Sequence, residues 1–169
     1  MKKNLFYVLV SLVFLTACNE ANFDRYPGTR LNQIPEAYRG KFREEKQKGK
    51  EREWYDIGAD YYIEYPKGEK HLLGDSLVFS QYKGMDFISA LHDNNPYWTV
   101  MNLKVNKNKL CFYPVNFDPK KNDDQLKNYI TPEMLPDSMY VFKMNEEKLA
   151  AYIKEYLWKQ KPEVLKRFK

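Results

Sequence analysis

An α+β fold dominated by β-structure, either an antiparallel meander or a barrel closed by a C-terminal amphipathic helix, is what this 169-residue sequence predicts. Three observations carry that prediction. From Gly40 to Val115, short segments rich in Tyr, Trp, Val and Ile recur about every 8–12 residues between turn-forming residues, the spacing of a meander, barrel or sandwich. Near the C-terminus the period changes, and Leu149, Tyr152, Ile153, Tyr156 and Leu157 fall at i, i+3, i+4, i+7 and i+8. Seven glycines, nine prolines and two cysteines in a chain that is 43% hydrophobic exclude collagen-like, disulfide-dense and disordered classes.

The elements follow in order. Ile34 to Tyr38 forms a helical turn with Pro35 at its first position, and Gly40 lets the chain turn into a strand. Trp54–Ile57 and Tyr61–Tyr65 are strands flanking Gly58-Ala59-Asp60, and Pro66-Lys67-Gly68-Glu69 is a turn. Leu77 to Tyr82 alternates, and Lys83-Gly84 leads into a strand from Met85 to Leu91. Tyr97–Val105 and Leu110–Val115 make the clearest hairpin, joined by Asn106-Lys107-Asn108-Lys109. A short helix carrying Leu126, Tyr129 and Ile130 is expected next, then a helix start at Thr131-Pro132-Glu133 that Pro136 stops. Ser138 to Met144 is a strand. Asn145 caps the C-terminal helix, with Glu146 and Glu147 in its positive first turn and Pro162 beyond its end. Val164, Leu165 and Phe168 are expected in a last helical turn, which takes Arg167 with them.

The N-terminus reads as an address. Met1-Lys2-Lys3-Asn4 is basic, and Leu5 to Leu15 is apolar except for Ser11, too short to span a bilayer and suited to a secretory signal. The run ends in Leu15-Thr16-Ala17-Cys18, which resembles the lipobox of bacterial lipoproteins. That resemblance implies cleavage before Cys18, acylation of its thiol and insertion of the chains into membrane lipid. Asn19, rather than Asp, follows the cysteine, which by the enteric sorting rule implies an outer-membrane, envelope location. The expected organisation is a signal peptide over 1–17, a lipidated tether over 18–33 and a single β-rich domain over 34–169. Cleavage lowers the formal charge from +5 to about +3. No basic run is interleaved with aromatics, so nucleic acid is not an expected partner.

Ile34-Pro35-Glu36-Ala37-Tyr38-Arg39-Gly40-Lys41-Phe42 resembles the opening of lipocalin-like proteins, in which a helical turn precedes Gly-x-Trp on the first strand. Phe42 stands at the tryptophan position. The resemblance implies a small antiparallel barrel with a helix near its C-terminus, and in that family an arginine from a late strand packs over the tryptophan. The chain is also similar to small lipoproteins of Bacteroidetes-type bacteria with β-rich domains.

The chemistry-bearing residues are few. His71 and His92 each sit beside turn residues, and no serine lies in a nucleophile elbow. His92-Asp93 is a lone dipeptide, and Asp118 to Asp124 lacks the alternating oxygens and central glycine of a calcium loop, so no metal or other cofactor is expected. Cys111, between Leu110 and Phe112, reads as a small buried residue. Asp56, Asp60 and Glu64 are the acids that one hairpin would bring near each other for carboxylate hydrolysis, but near pairs are common in a chain with 23 acids, and no catalytic residue is assigned. Aromatics are abundant: Trp54, Tyr55, Tyr61, Tyr62, Tyr65, Tyr97 and Trp98 fall in the strand region, and alternation prevents Tyr61 and Tyr62 from both pointing inward. The leading expectation is a non-enzymatic envelope protein that binds an apolar or amphiphilic small ligand, or plays an accessory role, with Trp54, Tyr61, Tyr97 and Trp98 as ligand-binding residues. The alternative is docking on another envelope protein or a glycan through exposed aromatics.

Overall fold

The computed structural model describes residues 21–44, 53–92, 95–120, 125–136 and 138–168. The segment expected to be a signal peptide, and Cys18, lie outside the described residues, among which no helix is long and apolar enough to cross a membrane.

Among the described residues the fold is mainly β, one curled and largely antiparallel sheet with one α-helix near the C-terminus. Strands are numbered along the chain. One meander comprises β3 (Gly40–Glu44), β4 (Trp54–Ile57), β5 (Tyr61–Tyr65) and β6 (Glu69–Leu72). A second comprises β7 (Leu77–Tyr82), β8 (Met85–His92), β9 (Asn95–Asn106) and β10 (Lys109–Pro114). The hairpins follow from turn chemistry: Lys83 and Gly84 both take positive φ, 47° and 73°, the twist that a tight two-residue loop needs. β13 (Glu163–Phe168) lies between β10 and β3, antiparallel to both, and joins the meanders into one half-barrel.

That last strand corrects the helical turn expected at 164–168. Three apolar residues after Pro162 are too few to nucleate a helix, whereas two open strand edges satisfy the whole backbone of Glu163–Phe168. Arg167 thus belongs to a strand. A second correction concerns 131–135, where β11 (Pro132–Met134) replaces the expected helix start and pairs with β12 (Tyr140–Phe142). Proline is tolerated there because β11 is an edge strand.

A third difference lies at the start. The tether was expected to reach Gln33, yet Ala21 and Phe23 are 1% and 0% exposed. β1 (Asn22–Phe23) pairs with β9 and runs parallel to β12, and the Ala21 N–H donates to the Val115 carbonyl, so β1 continues the line of β10. β2 (Thr29–Arg30) pairs with β7. Phe23 supplies the reason, since its ring meets Phe142 at 5.5 Å inside the core.

Side-chain alternation divides the core between the two faces of the sheet. On the convex face of β8 and β9, Phe87 and Val100 pack with Phe23, Phe142 and the buried stripe of α1 (Glu146–Glu155), including Leu149 and Ile153. The Asn145 side chain caps that helix by accepting from the Lys148 N–H. Beyond it, the 3₁₀ turn Leu157–Lys159 is pinned by Trp158, whose Nε1 donates to Asn102 Oδ1 at 2.7 Å. On the concave face, Phe42, Tyr55, Phe79, Leu103, Leu110 and Leu165 converge from both meanders. The 3₁₀ turn Glu36–Tyr38 plugs this end, with Ile34 and Tyr38 in the same cluster. The Tyr38 hydroxyl donates to Asp86 Oδ2 at 2.6 Å, and burial, with this bond adding to it, holds the phenol well above its ordinary pKa.

Candidate functional site

The wall formed by β13, β3, β4, β5 and β6 separates charge by face. Cross-strand register places Glu69, Glu64, Tyr55 and Phe42 in one concave row, with Arg167 next to Phe42. Glu44 lies opposite Leu165, and Glu163 is two residues further along the same face of β13. The convex face presents the opposite sign: Lys166, Arg43, Trp54 and Tyr65 form one row, and Phe168, Lys41, Asp56, Ile63 and Lys70 the next.

On the convex face the aromatics and cations are interleaved. Trp54 and Tyr65 stack with centroids 3.8 Å apart and planes 3° from parallel, and Phe168 meets Trp54 edge-on at 5.8 Å. Lys41 Nζ lies 5.6 Å from the Trp54 centroid, and the Arg43 guanidinium lies 5.1 Å from that of Phe168. Lys70 covers Tyr61 at 4.6 Å. All four rings are half-buried, so each keeps a partly accessible surface.

On the concave face Glu64 is fully buried. Lys67 Nζ donates to its Oε1 at 3.0 Å, across the turn between β5 and β6. Its Oε2 is buried without a hydrogen-bond partner, and so is Nε2 of His71. Tyr62, directly opposite His71, stacks on the imidazole at 4.5 Å and 21°. Burial lowers the His71 pKa, with Glu69 and Glu64 opposing it and Lys67 adding to it, so the ring is neutral near pH 7. Glu69 completes the group: one ligand atom each from Glu64, Glu69 and His71 lie within 4.8 Å of one another. Further along the face, burial and then the nearby Glu44 push the Glu163 carboxyl up to about 7.

The residues expected to bind a ligand do not gather in one place. Trp54 and Tyr61 are on the convex face of the first meander, Trp98 packs against the helix-side core with Tyr26 edge-on at 5.1 Å, and Tyr97 alternates with it on β9. Cys18 lies outside the described residues. Asp56 and Glu64 point to opposite faces, and Asp60 is exposed in the turn between β4 and β5, so these acids do not converge. Cys111 is free and buried, and burial pushes its thiol pKa up. The sequence reading missed Glu69 as a partner of Glu64 and His71. The signal was Glu64-x4-Glu69-x-His71 across Pro66-Lys67-Gly68, legible only once the turn fixes which residues face each other.

The chain matches no protein-family model, no curated protein and no solved structure.

Proposed function

We propose that the protein is a non-enzymatic lipoprotein of the bacterial envelope, anchored in the outer membrane through acylated Cys18, whose lipocalin-like domain docks on a negatively charged glycan. The observation that carries the docking is the convex face of β13–β3–β4–β5. Stacked rings suit the C–H faces of sugars, and Lys41, Arg43, Lys70 and Lys166 surrounding one acid, Asp56, suit carboxylate, sulfate or phosphate substituents. The lipocalin-like reading draws support from the Phe42 ring, over which the Arg167 guanidinium lies at 5.0 Å while donating to the Ala37 carbonyl of the plug at 2.6 Å. Gly40, between that plug and Phe42, takes φ +121°, a backbone conformation that glycine alone adopts without strain.

Docking is favoured over a deep carrier calyx because one wall is low. Strands of four or five residues, as in β3 to β6, rise only about 13–17 Å. A second reading, an amphiphilic small ligand held on the concave face, is favoured by Glu44 and Glu163 beside Phe112, a setting for a cationic head and an apolar body. The test is calorimetry with dextran sulfate against neutral dextran. The expected result is binding to the sulfated chain alone, weakened at least about tenfold by Trp54→Ala and by the pair Lys41→Ser, Arg43→Ser. Equal affinity for both dextrans, or no loss in either variant, overturns the docking. Intact mass and detergent partitioning test the anchor: Cys18→Ser should lose the acyl mass and leave the detergent phase, and a wild type that is already unmodified refutes it.

A further inference from the structure

We propose that Glu64, Glu69 and His71 form a zinc-binding site on the concave face of the β5–β6 hairpin. The three residues offer one ligand atom each within 4.8 Å of one another. Tetrahedral zinc at Zn–N and Zn–O lengths of about 2.0–2.2 Å sets its ligands about 3.4 Å apart, so binding draws the three side chains inward by small rotations. Two atoms at the site lack partners. Glu64 Oε2 belongs to a side chain with no exposure at all, and Nε2 of His71 is likewise buried, so each forfeits a hydrogen bond that water would have supplied. A cation between them satisfies both.

The surroundings fit this occupant. Register fixes the donors: Glu64 stands opposite Glu69 and Tyr62 opposite His71, with Glu69 and His71 two residues apart on the same face of β6. The stacked Tyr62 ring holds the imidazole plane. Lys67 occupies Oε1 of Glu64 and leaves Oε2 buried without a hydrogen-bond partner, so an oxygen not used by the ammonium remains for the metal. Charge also balances: two carboxylates against one ammonium leave a single negative charge, enough to attract a divalent ion and too little to bind calcium well. One imidazole with two carboxylates is a borderline donor set, which prefers zinc to magnesium or calcium. Three protein ligands leave a fourth tetrahedral position for water.

The test uses tag-free full-length protein stripped with EDTA and titrated with ZnCl2, read by calorimetry and native mass spectrometry. One equivalent should bind with a Kd in the micromolar range or tighter and raise Tm. His71→Ala should weaken binding at least about 30-fold and Glu69→Gln at least about tenfold, with the zinc-free circular dichroism unchanged. Because Glu64→Gln disturbs the buried pair with Lys67, Co2+ substitution gives a second readout: d–d bands of tetrahedral intensity in wild type that vanish in His71→Ala. Absence of stoichiometric zinc, binding that survives both His71→Ala and Glu69→Gln, or equal competition by Ca2+ overturns the assignment. The glycan titration is independent of this result, since Trp54 and Arg43 lie on the opposite face.

Discussion

Asn102 is the polar residue on which the docking of the C-terminal segment turns. It is fully buried on β9, donates Nδ2 to the Asp86 carbonyl at 2.9 Å and accepts from Trp158 Nε1 at 2.7 Å. Asn102→Ala removes both bonds, each contributing about 0.5–1.5 kcal/mol net, and leaves the indole N–H facing a small void. With the loss of packing around the deleted amide, the expected destabilisation is about 2–4 kcal/mol. Trp158→Phe keeps a ring on the sheet but strands Oδ1 of Asn102, at about 1–2 kcal/mol. Equilibrium urea unfolding followed by far-ultraviolet circular dichroism measures both, and the double variant closes a thermodynamic cycle. A coupling of about 1 kcal/mol is expected, because the second substitution removes nothing once the first has broken the bond. Single-variant costs that add to within about 0.3 kcal/mol would refute the claim that this hydrogen bond ties the 3₁₀ turn to the sheet.

Three further outcomes follow from local geometry. Gly28→Ala should cost about 2 kcal/mol or more, since Gly28 has φ +70° and an added Cβ would fall against the Gln81 backbone carbonyl; thermal unfolding reads it. Asn145→Ala should lower stability by about 1 kcal/mol by leaving the Lys148 N–H uncapped, and Asn145→Asp should restore it. Glu163 has its folded pKa raised from 4.5 to about 7, so the folded state binds the extra proton, and this group's contribution to stability is fully present below pH 4.5 and lost as pH rises to about 7. Glu163→Gln should flatten that slope and, allowing for partial exposure, gain roughly 1 kcal/mol at pH 8 relative to wild type, visible in urea midpoints at pH 4.5 and pH 8.

Local chemistry made much of this fold readable. The turns at Lys83-Gly84 and Asn106–Lys109, the Asn145 cap and the helical stripe from Leu149 to Ile153 each depend on neighbours within a few residues, and each is where the pattern places it, although the α-helix stops at Glu155 and Leu157 opens a 3₁₀ turn. What escaped depends on distant partners. Val164, Leu165 and Phe168 fit a helical turn as well as a strand, and only the free edges of β10 and β3 decide between them. Phe23 sits in a polar, Pro-Gly-containing segment, so nothing near it announces that Phe142 waits 119 positions away. The candidate sites escaped for the same reason. Trp54 on Tyr65 and Glu64 beside Glu69 and His71 are cross-strand relations set by register, which a single turn residue more or less would reassign.

The segregation of charge across β13–β3–β4–β5–β6 is the feature hardest to explain by folding alone. A sheet stabilises itself equally well with cations and acids mixed on each face, and better when opposite charges face each other across strands. Lys41 does face Asp56 across β3 and β4, and Lys67 pairs with Glu64, yet Lys166 stands opposite Arg43 on the convex face and Glu64 opposite Glu69 on the concave face, like-charge neighbours in both cases. The cost is visible at Glu163, where the nearby Glu44 adds to burial in raising the carboxyl pKa. Repulsion kept on both faces is what the two proposals expect, with an anion docked on one side and a cation bound on the other. This gives the two proposals a shared physical signature. Neutralising Arg43 should raise the stability of the free protein while removing glycan affinity, and Glu69→Gln should do the same while removing zinc. Variants that lose binding with no gain in stability would mean that like-charge pairing on this wall carries no cost, and the argument from segregation would fail.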